Sequence, residues 1–159
     1  MTHRLTRSLE GLARSFDTVI EATGELDSER REVWALVAEP YHLPDWWPAY
    51  TGVKPDRRGL AEGARWEVIR TTTPGFLRRP EGEGLIVITK VVEAWELRWR
   101  DVNQRFDAGV LLDNAGTGRT RATTFVSGSW LRLVSEGARV LPETALRRLH
   151  DLCQTTATL

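Results

Sequence analysis

The chain has 159 residues, one cysteine, and equal numbers of basic and acidic residues, 22 of each. This length is typical of one domain with a substantial apolar core, and a lone cysteine excludes an intramolecular disulfide and a cysteine-based metal cluster. The balance of charge argues against a broad basic surface for nucleic acid or an anionic membrane. We therefore expect a single-domain protein of the reducing cytoplasm.

Residues 1–16 are predicted to form a helical extension that precedes a single domain over residues 17–159. Four apolar residues of the extension share one helical face: Leu5, Leu9, Leu12 and Phe16. The extension lacks the apolar core of a secretory signal, and no run in the chain approaches the ~20 apolar residues of a membrane span. Packing on the surface, a lid and a dimer contact are alternative roles for this helix.

A strand and a first short helix are predicted after the extension. Residues 17–26 are rich in β-branched side chains and form the strand, with Gly24 as a candidate bulge. Either Asp27 or Ser28 then caps the helix. Pro40 ends that helix because proline cannot donate a backbone hydrogen bond.

The stretch that follows, residues 41–48, places Trp46 and Trp47 between two prolines. Proline excludes both a long helix and a central strand here. The stretch is therefore predicted to be a second, very short helix or a turn. Its aromatic side chains make it the closing element of a hydrophobic pocket.

From residue 51 to residue 126, apolar and polar residues alternate, which predicts six further strands. We place these strands at residues 51–55, 65–73, 85–92, 95–100, 104–112 and 120–127. A mobile connection is expected over residues 74–84. In the fourth of these strands, Leu97 and Trp99 share the apolar face.

An apolar stripe with spacings of three and four predicts a long C-terminal helix. The stripe consists of Leu131, Val134, Ala138, Leu141, Ala145, Leu149 and Leu152. Pro142 lies within the stripe and predicts either a kink or a break into two helices. The order of elements predicts an α+β fold in which a curved, seven-stranded antiparallel sheet wraps around this helix and leaves its other face in water.

This order of elements resembles the SRPBCC (START-like) superfamily, and most closely its polyketide cyclase/dehydrase branch. The residues that carry the resemblance are Val33 with Trp34, residues 43–48, residues 63–66, and Leu97 with Trp99. The resemblance covers residues 18–152. It implies a helix-grip fold with a deep, mostly apolar cavity between the sheet and the helix. Members of the superfamily include lipid and sterol carriers, plant hormone receptors, aromatic polyketide cyclases and stress proteins.

Strand alternation turns one set of side chains toward the expected cavity. The candidate ligand-binding residues are Trp46, Trp47, Tyr50, Trp66, Val68, Arg70, Trp99, Phe106, Thr124 and Trp130. Aromatic walls with a few polar groups are typical of a small-molecule pocket and also of an ordinary core. The expected partner is a small hydrophobic molecule, aromatic or polyketide-like.

Four residues are candidates for catalysis. Arg70 either faces the cavity, where it would hold an anionic oxygen, or lies at the rim of the sheet. Asp107 and Glu67 face the cavity only if the strand register is shifted by one residue. His150 either points inward as an acid or base near neutral pH or faces solvent.

No metal site and no cofactor are predicted, because the histidines lack ligand spacing and no glycine-rich dinucleotide loop is present. Two hypotheses follow. The chain is a cofactor-independent cyclase, aromatase or dehydratase that folds a flexible substrate, or it is a carrier or sensor of a lipid-like ligand without turnover. Two or more ionisable groups within reach of one ligand position would favour the enzyme. We expect a monomer or homodimer that does not bind nucleic acid.

Overall fold

The computed structural model of the chain describes residues 17–70 and 83–156. The strands are β1 (Thr18–Leu26), β2 (Tyr50–Lys54), β3 (Arg65–Arg70), β4 (Glu83–Val92), β5 (Glu96–Asp101), β6 (Phe106–Asn114) and β7 (Thr120–Gly128). The helices are α1 (Arg30–Ala38), α2 (Leu43–Trp46), α3 (Trp130–Ser135) and α4 (Leu141–Thr156), with 3-10 turns at Pro40–His42 and Ala138–Val140. The predicted N-terminal helix and most of the predicted 74–84 connection lie outside the described residues.

All seven strands belong to one antiparallel sheet, in the order β1-β7-β6-β5-β4-β3-β2. This arrangement, with two short helices between β1 and β2, confirms the predicted fold class. The bulge predicted at Gly24 is wrong, because β1 pairs with β7 without a register shift. A Cβ at Gly24 would lie 3.1 Å from Cδ2 of Leu146, the far end of a flexible side chain on α4.

The start of α1 also differs from the prediction. Neither Asp27 nor Ser28 caps the helix; Glu29 is the N-cap residue and makes no side-chain capping bond. Instead, Oε1 of Glu29 accepts a hydrogen bond from the backbone N–H of Gly118 at 3.0 Å. The hydroxyl of Thr120 donates to the carbonyl of Ser28 at 2.7 Å. The loop between β6 and β7 therefore fixes this helix end, which local sequence could not reveal.

The C-terminal segment breaks rather than kinks. Gly137 has a φ of 66°, in the left-handed region that glycine tolerates, and Pro142 lies in the first turn of α4, where its missing N–H is not needed. The predicted stripe is wrong before the break, because Leu131 is exposed while Leu133 is buried. The change of chain direction at Gly137 gives α3 a buried face of its own. From Ala138 onward the stripe faces the core as predicted.

The core lies between the concave face of the sheet and α4, which packs on β1 and β7 and also meets α2. Thr124 of β7 joins the two layers, because its buried hydroxyl donates to the carbonyl of Pro142 at 2.6 Å. The part of the concave face that α4 does not cover, around β5, faces α2 and the residue after it, Trp47. The candidate site is built in this region.

The sequence predicted that the convex face of the sheet is left in water, but part of this face is buried. Phe125 is fully buried on that face, and its ring lies over Gly109, where a Cβ would be 2.9 Å from the ring. The guanidinium of Arg98 lies 5.2 Å from the centroid of that ring. Arg98 also pairs with Glu96, which accepts from Lys90 at 3.0 Å. Ion pairing allows these charged side chains to be buried on the sheet.

Candidate functional site

Three tryptophans meet in the interior. Trp46 of α2, Trp47 and Trp99 of β5 are all fully buried. Their rings pack edge to face, with centroid distances of 6.0 Å, 5.8 Å and 5.0 Å for the three pairs. The backbone N–H of Trp47 donates to the carbonyl of Leu43 at 2.8 Å, which closes the single turn of α2. That turn places two adjacent indoles against the middle of the sheet. We call this cluster the tryptophan trio.

The three indole nitrogens of the tryptophan trio are buried, and those of Trp46 and Trp47 find no acceptor in the described part of the chain. The indole N–H of Trp99 interacts with the phenol oxygen of Tyr50 and so lowers the pKa of that phenol in part. Trp66 differs, because its indole N–H donates to the carbonyl of Gly59 at 2.8 Å. A buried donor without a partner costs about 1–3 kcal/mol, and edge-on contact with a neighbouring ring offsets only part of that cost. The trio therefore presents two donors, from Trp46 and Trp47, that are suited to oxygen acceptors.

A polar network closes one end of the interior, where β5 ends at Asp101. This side chain is fully buried. Its carboxylate accepts from Arg70 at 2.9 Å and 2.6 Å, from the phenol of Tyr50 at 2.8 Å, and from the backbone N–H of Gln104 at 2.9 Å. These four bonds fill the acceptor positions of a carboxylate. Asp101 is thus a negative charge that is fully paired within the fold.

Arg70 reaches Asp101 by passing over Gly84 on the strand between them. A Cβ at Gly84 would lie 2.6 Å from Nη2 of Arg70, so only glycine leaves room for the guanidinium. Of the two alternatives for Arg70, the structure combines both: the side chain faces the interior, and it lies at the end of the sheet, with 14% of its surface exposed.

Tyr50 shares this network and is held neutral. Burial raises the pKa of its phenol well above the ordinary value, and the nearby Asp101 carboxylate raises that pKa further. The phenol donates its proton to Asp101, and its oxygen accepts from the indole N–H of Trp99, which lowers the pKa of the phenol in part. At neutral pH, Tyr50 can therefore orient a partner, but it does not act as a base.

The remaining ligand-binding candidates divide into two groups. Trp66, Val68, Phe106 and Thr124 are buried with the core. Thr124 already donates its proton to Pro142, so its donor is used within the protein. Trp130 lies on α3 and is about half exposed, away from the tryptophan trio.

Three catalytic candidates do not reach the interior. Asp107 lies on the opposite face of β6 from Phe106, within 3.4 Å of Arg100, so the register shift that would have turned it inward does not occur. Burial is the main cause that raises the pKa of the Asp107 carboxyl. His150 is on the surface of α4 beside Asp151, at 3.7 Å. Glu67 is exposed.

Asp101 is the site residue that sequence reasoning missed. The alternation that turns Leu97 and Trp99 inward continues to residue 101, and that signal was missed because the predicted strand ended at residue 100. Within residues 17–70 and 83–156, no group of histidine, cysteine, aspartate and glutamate is arranged to hold a metal ion. No helix there combines the length and apolar character needed to cross a bilayer.

No family model matches the chain, and no curated protein matches it either. Solved structures do. Protein NE0264 from Nitrosomonas europaea is 18% identical with a TM-score of 0.67, covering 92% of this chain and 99% of that one. Ms6760 from Mycobacterium smegmatis is 18% identical with a TM-score of 0.63, covering 87% and 92%.

A third similar structure is a point mutant of norcoclaurine synthase from Thalictrum flavum in complex with a transition-state analogue. It is 15% identical with a TM-score of 0.62, covering 91% of this chain and 99% of that one. At such identities the likeness shows the fold alone. Together with the sheet and the C-terminal helix described above, it defines the chain as a helix-grip protein.

Proposed function

We propose that this protein binds a small hydrophobic molecule in its interior, and that the molecule is aromatic or polyketide-like and carries oxygen acceptors. The observation that carries the proposal is the tryptophan trio, in which the buried indole N–H groups of Trp46 and Trp47 lack acceptors within the described residues. Carbonyl or phenol oxygens of a ligand would accept these bonds. The indole faces would pack against its rings.

The fold supports the same proposal. The resemblance to the polyketide cyclase/dehydrase branch of the SRPBCC superfamily implies a mostly apolar cavity, and the norcoclaurine synthase structure holds a small molecule on a similar fold. Neither likeness identifies the ligand of this chain. The chemistry of the tryptophan trio favours a ligand that combines apolar surface with hydrogen-bond acceptors. A plain fatty chain does not provide such acceptors.

The polar network favours a carrier or sensor that holds its ligand without turnover. A cyclase, aromatase or dehydratase needs a group that moves protons. Asp101 has all its acceptor positions filled, and the pKa of Tyr50 is raised so that its phenol stays neutral. A carrier or sensor needs neither group to change its protonation.

Cofactor-independent cyclisation is the second candidate. It is favoured by one observation: Arg70 has five guanidinium N–H groups, of which Asp101 accepts two. A further N–H at this end of the interior would stabilise negative charge that develops on a carbonyl oxygen. The folding of the substrate by the aromatic walls would supply most of the rate enhancement.

Native mass spectrometry of freshly purified protein, followed by organic extraction, tests the proposal. We expect a bound small molecule that leaves on denaturation and quenches tryptophan fluorescence when it is added back. A bare protein whose fluorescence ignores a panel of aromatic and fatty ligands would overturn the proposal, because the tryptophans would then only fill the core. Conversion of the extracted molecule on incubation would favour the cyclase over the carrier.

A matched pair of variants tests the role of the indole donor. Trp47→Phe keeps an aromatic ring and removes one N–H, so we expect ligand affinity to fall roughly 5- to 10-fold. Trp95→Phe is the control, because Trp95 is exposed and stacks on the guanidinium of Arg30 at 3.5 Å, away from the trio. Equal affinities for the two variants would show that the Trp47 donor does not contact the ligand.

A further inference from the structure

The surface carries an apolar patch on α3 and the 3-10 turn after it. The exposed fractions are 48% for Trp130, 79% for Leu131, 44% for Val134 and 66% for Val140. The first three lie within one turn of α3, at spacings that make helix neighbours. Arg139 joins the 3-10 turn to them, since its guanidinium lies 4.9 Å from the Trp130 ring centroid. We call these four apolar residues the α3 tip.

The α3 tip is exposed although the segment that carries it is packed against the core. Leu133 and Ala138 are fully buried and fix the segment to the core. The hydroxyl of Ser129 accepts from the backbone N–H of Arg132 at 3.3 Å and caps α3. A fixed segment that turns several large apolar side chains to solvent marks an interaction surface.

The charges around the α3 tip are three exposed arginines, the half-buried Glu136 and the exposed Glu143, with a small basic excess. Arg132 and Arg139 are exposed within the segment, where the half-buried Glu136 is the acidic residue. Arg105 is exposed on the neighbouring turn between β5 and β6. That turn lies against the end of β7, because a Cβ at Gly128 would be 3.5 Å from the carbonyl oxygen of Arg105. The overall balance of charge argues against a broad basic face, but it is compatible with this small group of arginines.

The α3 tip also lies at the end of the sheet that holds the polar network. Val102, which is exposed, directly follows the buried Asp101. The turn that contains Val102 and Arg105 lies beside the entry to α3. Apolar side chains on two adjacent segments therefore surround this end of the molecule.

We propose that the α3 tip docks on the surface of an anionic lipid bilayer. Tryptophan with its apolar neighbours is suited to the headgroup region. Arg132 and Arg139 would contact anionic headgroups, which attract basic side chains near the surface. A second copy of the chain is a poorer occupant, because a two-fold interface places the same patch on itself and brings the arginines of both copies together.

Flotation with vesicles tests the proposal on the full chain. The probes are vesicles of phosphatidylcholine with about one third phosphatidylserine, and vesicles of phosphatidylcholine alone. We expect binding to the anionic vesicles that weakens with salt. The double variant Trp130→Ser, Leu131→Ser should lose at least about 10-fold in partitioning, and Arg132→Gln with Arg139→Gln roughly 5-fold per charge.

Tyr41→Ser is the control, since Tyr41 is exposed to a similar extent on a different element and should partition like the unchanged protein. Circular dichroism confirms that each variant is folded. Absence of binding to the anionic vesicles, or equal partitioning of all variants, overturns the proposal. A dimer in solution that the Trp130→Ser, Leu131→Ser variant abolishes also overturns it, and assigns the patch to a second copy. No interior ligand enters this assay, so its outcome is independent of the proposed binding function.

Discussion

Arg70 donates to both carboxylate oxygens of Asp101, from Nη1 at 2.9 Å and from Nη2 at 2.6 Å, and so links β3 to β5 across β4. Such a pair is weak evidence for net stability, because both charges lose their hydration. It is nevertheless costly to break from one side, since the remaining charge is then buried without its partner. We therefore expect the Arg70–Asp101 pair to hold β3 and β5 together at this end of the interior.

Asp101→Asn should lower the free energy of unfolding by about 3 kcal/mol, because the amide keeps the shape and leaves the guanidinium of Arg70 uncompensated. Urea denaturation measures the loss. Asp107→Asn is the matched control, because Asp107 pairs with the exposed Arg100 on the other face, and its loss should be below about 1 kcal/mol. Similar losses for the two variants would contradict the structural role of Asp101.

Gly84→Ala should disrupt the Arg70–Asp101 pair without changing either of its two residues. The new Cβ would lie 2.6 Å from Nη2 of Arg70, and the guanidinium must move away from Asp101. We expect a loss of about 2 kcal/mol that largely disappears in an Asp101→Asn background. Gly24→Ala serves as the control, because its Cβ would meet only the flexible end of Leu146. If the losses in unfolding free energy of Gly84→Ala and Asp101→Asn were fully additive, the effect of Gly84→Ala would not act through the Arg70–Asp101 pair.

The stability of the protein should fall at high pH because of Tyr50. The pKa of its phenol is raised above the ordinary 10.0 in the folded state, so above pH 10 the unfolded chain loses a proton that the native state retains. The unfolding free energy should therefore decrease by about 1.4 kcal/mol per pH unit from pH 10 up to the folded pKa. Tyr50→Phe should remove this slope.

Tyrosinate absorbance checks the same prediction directly. The chain has two tyrosines, so in a Tyr41→Phe background the signal reports Tyr50 alone. We expect ionisation to coincide with alkaline unfolding. Ionisation of Tyr50 in protein that is still folded, near pH 10, would refute the described burial.

Thr124→Val should loosen the contact between β7 and α4. The variant keeps the size of the side chain and removes the bond to the Pro142 carbonyl, with an expected loss of about 1 kcal/mol. Faster hydrogen exchange in the first turn of α4 should accompany it. Thr123→Val is the control, because Thr123 bonds Thr23 on the other face, so its exchange effect should spare α4. Equal effects on α4 would argue against the contact.

The fold could be predicted because its signals are local and repeated. Period-two alternation marked the strands, and prolines marked the ends of α1 and the short α2. The face of α3 could not be predicted, because Leu131 and Leu133 are equally apolar and only the break at Gly137 decides which one is buried.

The candidate site was predicted in part for a related reason. Aromatic residues on inward registers, such as Trp99, were identified from alternation. Asp101 was missed because an aspartate at the end of a strand reads as a turn residue, and its partners Tyr50 and Arg70 come from strands far away along the chain. The burial of Arg98 depends likewise on its contacts with Glu96 and Phe125 across the convex face.

The pairing of β1 with β7 has a consequence for how the molecule is made. Thr23 hydrogen-bonds Thr123, a hundred residues later, at 2.9 Å. Such distant pairing gives a high contact order and predicts refolding in milliseconds to seconds. At synthesis rates of about 5–20 residues per second, β1 leaves the ribosome roughly 5–20 seconds before its partner strand exists. During that interval the inward side chains of β1 are open to other chains, so exchange of β1 between two copies is the misassembly that this topology favours.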